Sequence, residues 1–205
     1  LPLIGGRLCI DFTNTTSGRG GPRRQEHLRL YPDLIAWALH AGLLDRSDAS
    51  ILERAAAADP GGAGRALEAA LQLRESIHDL LLSIVREEAP RAGDLDRLNL
   101  ALADAMSRAR IGTAPEGFAW DWPRPAADPL GSQLAYPIWP IARSAAELLL
   151  SPLRDRLREC PGEHCGWLFL DLTKNASRRW CEMKVCGSRA KMQRHRRRRR
   201  LASAS

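Results

Sequence analysis

Hydrophobic positions fall in helical register along most of the chain. In "YPDLIAWALHAGLL", Leu34, Ile35, Ala38 and Leu39 share one face, Pro32 suits a first helical turn and Gly42 a stop. A second short helix is expected through Ile51 to Ala58. The strongest periodicity follows it. Leu67, Ala70, Leu71, Ile77, Leu80, Leu81, Ile84 and Val85 recur at three- and four-residue steps, and only Arg74 interrupts the apolar face. That pattern predicts an amphipathic helix ending before Pro90. Asp94 is placed to cap another helix carrying Leu95, Leu98, Leu102, Ala105 and Met106. A last large helix is expected from about Leu130 to Leu150, kinked or restarted near Pro137 and Pro140. Two stretches alternate instead. "RLCIDFTNTT" alternates weakly at Leu8, Ile10 and Phe12 and predicts a short strand or hairpin arm, and "EGFAWDWPRP" predicts a strand through Phe118, Trp120 and Trp122 that Pro123 ends. The fold expected is mainly α: a helical N-terminal domain with a few short strands over residues 1–157, then a small four-cysteine module over 158–200.

Composition fits that division. The 205 residues are 44% hydrophobic and 27% charged, enough for one sizeable core with an appendage and too few for two full domains. No apolar run approaches the roughly 18 residues of a membrane span, and "LPLIGGRLCIDF" lacks the basic start and long apolar stretch of a secretory signal. A cytoplasmic protein without a membrane partner is expected. The net charge of +7 is unevenly spread: Arg158 to Arg200 holds thirteen Lys or Arg against four Asp or Glu, a net of +9, leaving about −2 for the rest. A near-neutral body with a concentrated basic end points to a polyanion docking there, against the plainer reading of a solvated tail.

Four of the five cysteines lie inside that basic end. Cys160 and Cys165 are separated by four residues, as are Cys181 and Cys186, and fifteen residues separate the pairs. Two close pairs joined by a medium loop allow two turns to present four sulfurs to one tetrahedral Zn²⁺. A site filled by four cysteines leaves no position for water, so one structural zinc is expected and not a catalytic one. The competing chemistries are disulfides, disfavoured in a reducing compartment, and an iron–sulfur cluster, whose usual spacings are tighter. Size also favours a metal, because a segment of this length, apolar mainly at Trp167, Leu168, Phe169, Leu170, Leu172, Trp180 and Val185, buries too little to fold alone. His164 directly precedes Cys165, and adjacent side chains rarely converge on one ion, so it is placed outside the ligand set.

The arginines divide in two. Arg178, Arg179, Lys184 and Arg189 lie close to the cysteines in sequence and are candidates either to offset the charge of about −2 on a zinc–tetrathiolate or to contact nucleic acid. Lys191, Arg194 and Arg196 to Arg200 lie beyond the last cysteine, on a helix that Ser188 could cap and that is apolar only at Ala190 and Met192. Such a helix has no core to join and reads as a phosphate probe. In the body, His27, His40 and His78 read as surface or hydrogen-bonded histidines, Cys9 as a core thiol, and Asp11 and Asn14 as turn or capping residues. No nucleophile elbow, phosphate-binding glycine loop or metalloprotease motif is present, so no catalytic residue is assigned and a non-enzymatic role is expected.

"CGWLFLD" around Cys165, "SRRWC" ending at Cys181 and "CGSRAK" from Cys186 resemble the CGNR zinc fingers of bacteria, with Ser188 where the family name places Asn. "LCIDFTNT" resembles the ABATE domain that usually precedes such fingers. The resemblance implies that Cys160, Cys165, Cys181 and Cys186 are zinc ligands and that the protein is a stress-related transcription regulator. The expected function is therefore DNA binding through Arg178, Arg179, Arg189, Lys191, Arg194, Arg196 and Arg197. A zinc-stabilised RNA binder and an enzyme or ligand-binding protein with its site in the helical body are the alternatives. Dimerisation or a small-molecule effector would belong to that body.

Overall fold

The computed structural model describes residues 1–22, 24–115, 117–125 and 132–202. Among these the helices are α1 (Leu8–Thr13), α2 (Tyr31–His40), α3 (Arg46–Ala58), α4 (Pro60–Arg86), α5 (Ala92–Arg108), α6 (Ile138–Leu150) and α7 (Ser188–Ala202). Strands occur as three antiparallel pairs: β1 (Thr16–Ser17) with β2 (Gln25–Glu26), β3 (Arg110–Ala114) with β4 (Gly117–Asp121), and β5 (Leu157–Glu159) with β6 (Leu168–Leu170).

Local chemistry fixes several helix ends. The Asp33 carboxylate accepts the Arg29 and Leu30 amides ahead of α2. Asp45 caps α3 by accepting the Asp48 amide at 2.8 Å, and Asp59 caps α4 by accepting Gly62, with Pro60 in the first position. Gly42, at φ +74°, supplies the left-handed residue after α2. Asp94, expected as a cap, lies inside α5 instead; the cap position belongs to Arg91, and the Asp94 carboxylate serves the first turn. The last large helix begins at Ile138 with Pro137 as its cap residue, so Pro140 falls in the first turn, where a missing N–H breaks no helical bond. A 3-10 turn over Ser132–Ala135 precedes it, and Leu130 lies outside the described residues.

The segment expected as a strand at Leu8 to Phe12 is a helix. Its buried residues are Cys9, Ile10, Phe12 and Thr13, the spacing of one helical face, and counting only Leu8, Ile10 and Phe12 had concealed it. Helix α4 is the spine of the body, and α1, α2, α3, α5 and α6 all pack on it. Arg74, the interruption in its apolar face, is buried, with its guanidinium on both oxygens of Glu26, on Glu75 and on the Thr15 hydroxyl. A buried charge needs such full pairing, and here the pairing pins β2 and the end of α1 to the spine. Burial alone would raise Glu75, but Arg19, Arg74 and Arg24 hold its carboxyl down at about 2.

The core does not stop at the end of the helical body. Leu157, Leu168 and Leu170 from β5 and β6 belong to the same buried cluster as Leu73, Ile77 and Leu81 of α4. The boundary expected after residue 157 thus coincides with the first residue of β5, and the hairpin beyond it contributes side chains to the body's own core.

Candidate metal centre

Cys160 ends the β5 arm, and its amide donates to Trp167 O at 2.8 Å, closing a loop in which the Cys165 amide donates to Gly162 O. This loop needs small residues. A Cβ on Gly162 would lie 3.0 Å from Cys186 Sγ and 3.2 Å from Cys165 Cβ. Cys181 and Cys186 flank the second turn, where the Cys186 and Gly187 amides both donate to Glu182 O and the backbone runs as a π-helical turn over Met183–Gly187 into α7. A Cβ on Gly187 would lie 2.3 Å from Met183 Sδ. Two tight turns thereby present their sulfurs to one point.

All four Sγ atoms lie within 4.8 Å of one another, with Cys165 to Cys181 at 3.7 Å and Cys181 to Cys186 at 3.6 Å. Zinc–thiolate bonds of about 2.3 Å in a tetrahedron set sulfurs about 3.8 Å apart, so the donor set fits the ion. The electrostatics agree. S–H donation from Cys165 and Cys181 holds the Cys160 thiol down at about 2, and the same contact pushes Cys165 up to about 12 and Cys181 up as well. Desolvation pushes Cys186 in the same upward direction. Four sulfurs this close carry one negative charge readily, and a divalent cation is what permits four. Phe169 is fully buried beneath the cluster, with Ile4, Trp167 and Trp180 packed at its edges. His164 stands apart, exposed at φ +63°, its Nδ1 3.4 Å from Gly20 O.

The finger is fastened to the body by the N-terminal residues. Asn14 is buried and pairs with Leu168 from both ends of its amide: Nδ2 donates to Leu168 O at 2.9 Å and Oδ1 accepts the Leu168 amide at 3.0 Å. The Leu170 amide donates to Gly5 O, and the Trp167 indole donates to Thr16 O. Gly166, at φ +67°, lies so close to Arg19 that a Cβ there would meet Arg19 Cβ at 2.9 Å. Asn14 thus acts as a peptide-like clamp on β6. Sequence reasoning placed it in turn chemistry because its partner lies 154 residues away.

The basic residues take different places. Arg178 points inward: its guanidinium lies 4.4 Å over the Phe169 ring and donates to the carbonyls of Ile4, Leu170, Trp180 and Cys181. It ties the finger to the N-terminal segment. Arg179 is exposed, its guanidinium carbon 5.9 Å from the Trp180 ring centre. Arg189, Lys191, Arg194, Arg196 and Arg197 are exposed along α7 and have no ion pair among the described residues; the side chains of Arg198 and Arg200 lie outside those described. Ser188, expected to cap this helix, already has helical dihedrals, and its hydroxyl donates back to Met183 O at 3.3 Å. The preceding π-helical turn starts α7 in its place. Gln193 hydrogen-bonds to Glu163, holding the first turns of α7 beside the first cysteine loop. Elsewhere, Cys9 is fully buried, Asp11 accepts the Gly5 amide at 2.7 Å, His27 bonds Ser17, and His40 bonds Leu1 O. Among the described residues no helix is long and apolar enough to cross a membrane.

A comparison with curated proteins finds no match. Family models do match. Residues 156–199 match the CGNR zinc finger, which with the four converging cysteines makes this a site for one structural zinc. Residues 6–152 match the ABATE family, described as "Putative stress-induced transcription regulator", and neither matched family is one of enzymes. With most of its length covered by that model and the finger following directly, the chain belongs to the ABATE family and ends in a CGNR zinc finger.

Proposed function

We propose that this protein is a transcription regulator that binds duplex DNA through α7, with the zinc-bound turns serving as the rigid base of that helix. The observation that carries this reading is the state of the cations on α7. Arg189, Lys191, Arg194, Arg196 and Arg197 are exposed and unpaired among the described residues, whereas many arginines of the body, such as Arg19, Arg74, Arg124 and Arg143, are held by carboxylates. A run of like charges on a helix without a core is costly unless a polyanion neutralises it. Its cylinder of about 10–12 Å suits a DNA major groove.

Roles divide by position. Lys191, Arg194, Arg196 and Arg197 contact phosphates and set orientation, and Arg189, at the start of the helix beside Cys186, reaches base edges. Arg178 holds the fold and is not part of the contact surface. Arg179, exposed beside the Trp180 ring, adds a phosphate contact. The decisive comparison uses zinc-loaded full-length protein against duplex DNA, duplex RNA and single strands of one sequence at a fixed salt concentration. Tightest binding to duplex DNA is expected. Preference for RNA or for single strands would reject the assignment of α7 to the DNA groove, and no binding at low salt would remove nucleic acid from the function altogether.

A further inference from the structure

A pocket of about 470 Å³ lies against the cysteine cluster, at the seam between the body and the finger. Pro2 and Gly18 line it from the body, and Trp167 and Val185 from the finger. Its surface is chiefly apolar. The one polar atom of the Trp167 ring is already spent, since the indole N–H donates to Thr16 O. Glu163, Glu182 and Arg189 complete the lining, and the Glu163 carboxylate is held by Gln193.

Three of the four metal-site cysteines, Cys165, Cys181 and Cys186, stand in the wall of this pocket, and Cys160 does not. They are not equally open. Cys160, Cys181 and Cys186 are buried, at 3%, 4% and 7% exposure, whereas Cys165 is only half-buried. One ligand of the metal centre is therefore open beside an apolar chamber of the size that takes a small organic molecule. The thiolate is the nucleophilic form of cysteine, and binding to zinc keeps the sulfur in that form at neutral pH. Cys9 is the contrast within the same chain: it is fully buried, and desolvation pushes its thiol up to about 12, so it is neither ionised nor reachable.

We propose that Cys165 is a modification site for small apolar carbon electrophiles of the α,β-unsaturated carbonyl class, which the pocket gathers beside its sulfur. The Cys165 sulfur bonds to the β-carbon of the electrophile, and the π electrons of the double bond pass to the carbonyl oxygen as an enolate. The enolate takes a proton from water and leaves hydroxide. No group departs, and no oxidant or reductant is consumed. The product is a neutral thioether, whereas zinc is held by cysteine as thiolate. An adduct at Cys165 thus weakens the tetrahedron and loosens the turns from which α7 starts.

Adduct mapping by mass spectrometry on zinc-loaded full-length protein tests this, with N-phenylmaleimide and N-methylmaleimide as probes. The two share one reactive ring, and only the first carries an apolar group for the pocket. Rates are referred to those with N-acetylcysteine, which removes the intrinsic reactivity of each probe. The first adduct is expected at Cys165, with one zinc released per adduct in a colorimetric assay. N-phenylmaleimide should react about tenfold faster than N-methylmaleimide, as burial of an aromatic group gives. Val185→Asn changes a wall position that is 39% exposed and should keep zinc bound. It should remove most of the advantage of N-phenylmaleimide and leave N-methylmaleimide unchanged. A first adduct at any other cysteine overturns the proposal. So do equal referred rates for the two probes, an advantage undiminished in Val185→Asn, or zinc retained by protein that carries the Cys165 adduct. None of these readings involves nucleic acid, so the result stands apart from whether α7 binds DNA.

Discussion

At the residue scale, two buried side chains carry measurable consequences. Asn14 satisfies both the N–H and the C=O of Leu168, so Asn14→Leu leaves a buried peptide without partners on both sides. A loss of about 2–4 kcal/mol in global stability is expected from two unmet buried groups. Zinc ligands are untouched, yet zinc should transfer to a chelator faster, because β6 leads out of the first cysteine turn. Unfolding in urea and a colorimetric zinc-transfer assay read the two effects; unchanged stability would show that the clamp is not needed. His78 is the second case. Burial first, and the Arg19 charge second, lower its folded-state pKa to about 4, so the folded protein keeps the ring neutral. Above the ordinary value of about 6.5 both folded and unfolded states are neutral and full stability is present. As pH falls from there towards 4 the unfolded state alone takes up the proton, and up to roughly 3 kcal/mol is lost. Zinc thiolates are also acid-sensitive, so the test is the difference between wild type and His78→Gln from pH 7 to 4.5 at saturating zinc. Parallel pH profiles would assign the whole acid effect to other groups.

At the element scale, the metal and the core are linked through the β5–β6 hairpin. Leu157, Leu168 and Leu170 sit in the cluster built on α4, and Cys160 continues directly from β5. Cys181→Ser opens the tetrahedron and should release zinc. The helical body should then lose stability with it, since the strand it packs on is no longer held. A single thermal transition that moves down on chelation, followed by far-UV and near-UV circular dichroism together, is the expected result; a separate body transition that ignores chelation would contradict it. The same elements show what the chain makes legible. The body of α4 was readable from its apolar periodicity over many turns, whereas the starts of α3 at Arg46 and α4 at Pro60, set by the Asp45 and Asp59 caps, lie ahead of the expected Ile51 and Leu67 because those first turns carry little apolar signal. The metal site was readable because its ligand spacing is a local property of two turns. What escaped was non-local. The brief α1 was taken for a strand, since six residues offer too short a window to separate period two from period 3.6. Arg178 looked like any basic residue near the cysteines until its face over Phe169 and its four carbonyl partners were placed. Arg74 was visible as an anomaly, but its partner Glu26 lies 48 residues away in a strand too short to announce itself.

At the scale of the whole molecule, charge is sorted: the body is close to neutral and largely self-paired, and the excess resides on α7, beyond the zinc. This sorting sets the salt dependence of binding. Each phosphate neutralised on duplex DNA releases condensed counterions, so log affinity should fall with log salt by about 0.9 per contact. With five or six of the cations from Lys191 onward engaged, a slope of roughly −5 is expected. Deleting residues 191–205 should flatten the slope to about −1, the share of the remaining Arg179 contact, and weaken preferred and random duplexes alike, because phosphate contacts orient without reading sequence. Arg189→Ala should behave differently. It keeps zinc and most of the salt slope but narrows the gap between preferred and random DNA by about 1–3 kcal/mol, the discrimination carried by one bidentate contact to guanine. Equal losses on both duplexes would assign Arg189 to phosphate, and zinc loss in that variant would place it in support of Cys186. A slope unchanged by removal of 191–205 would move the polyanion site off α7, to the exposed arginines of the body.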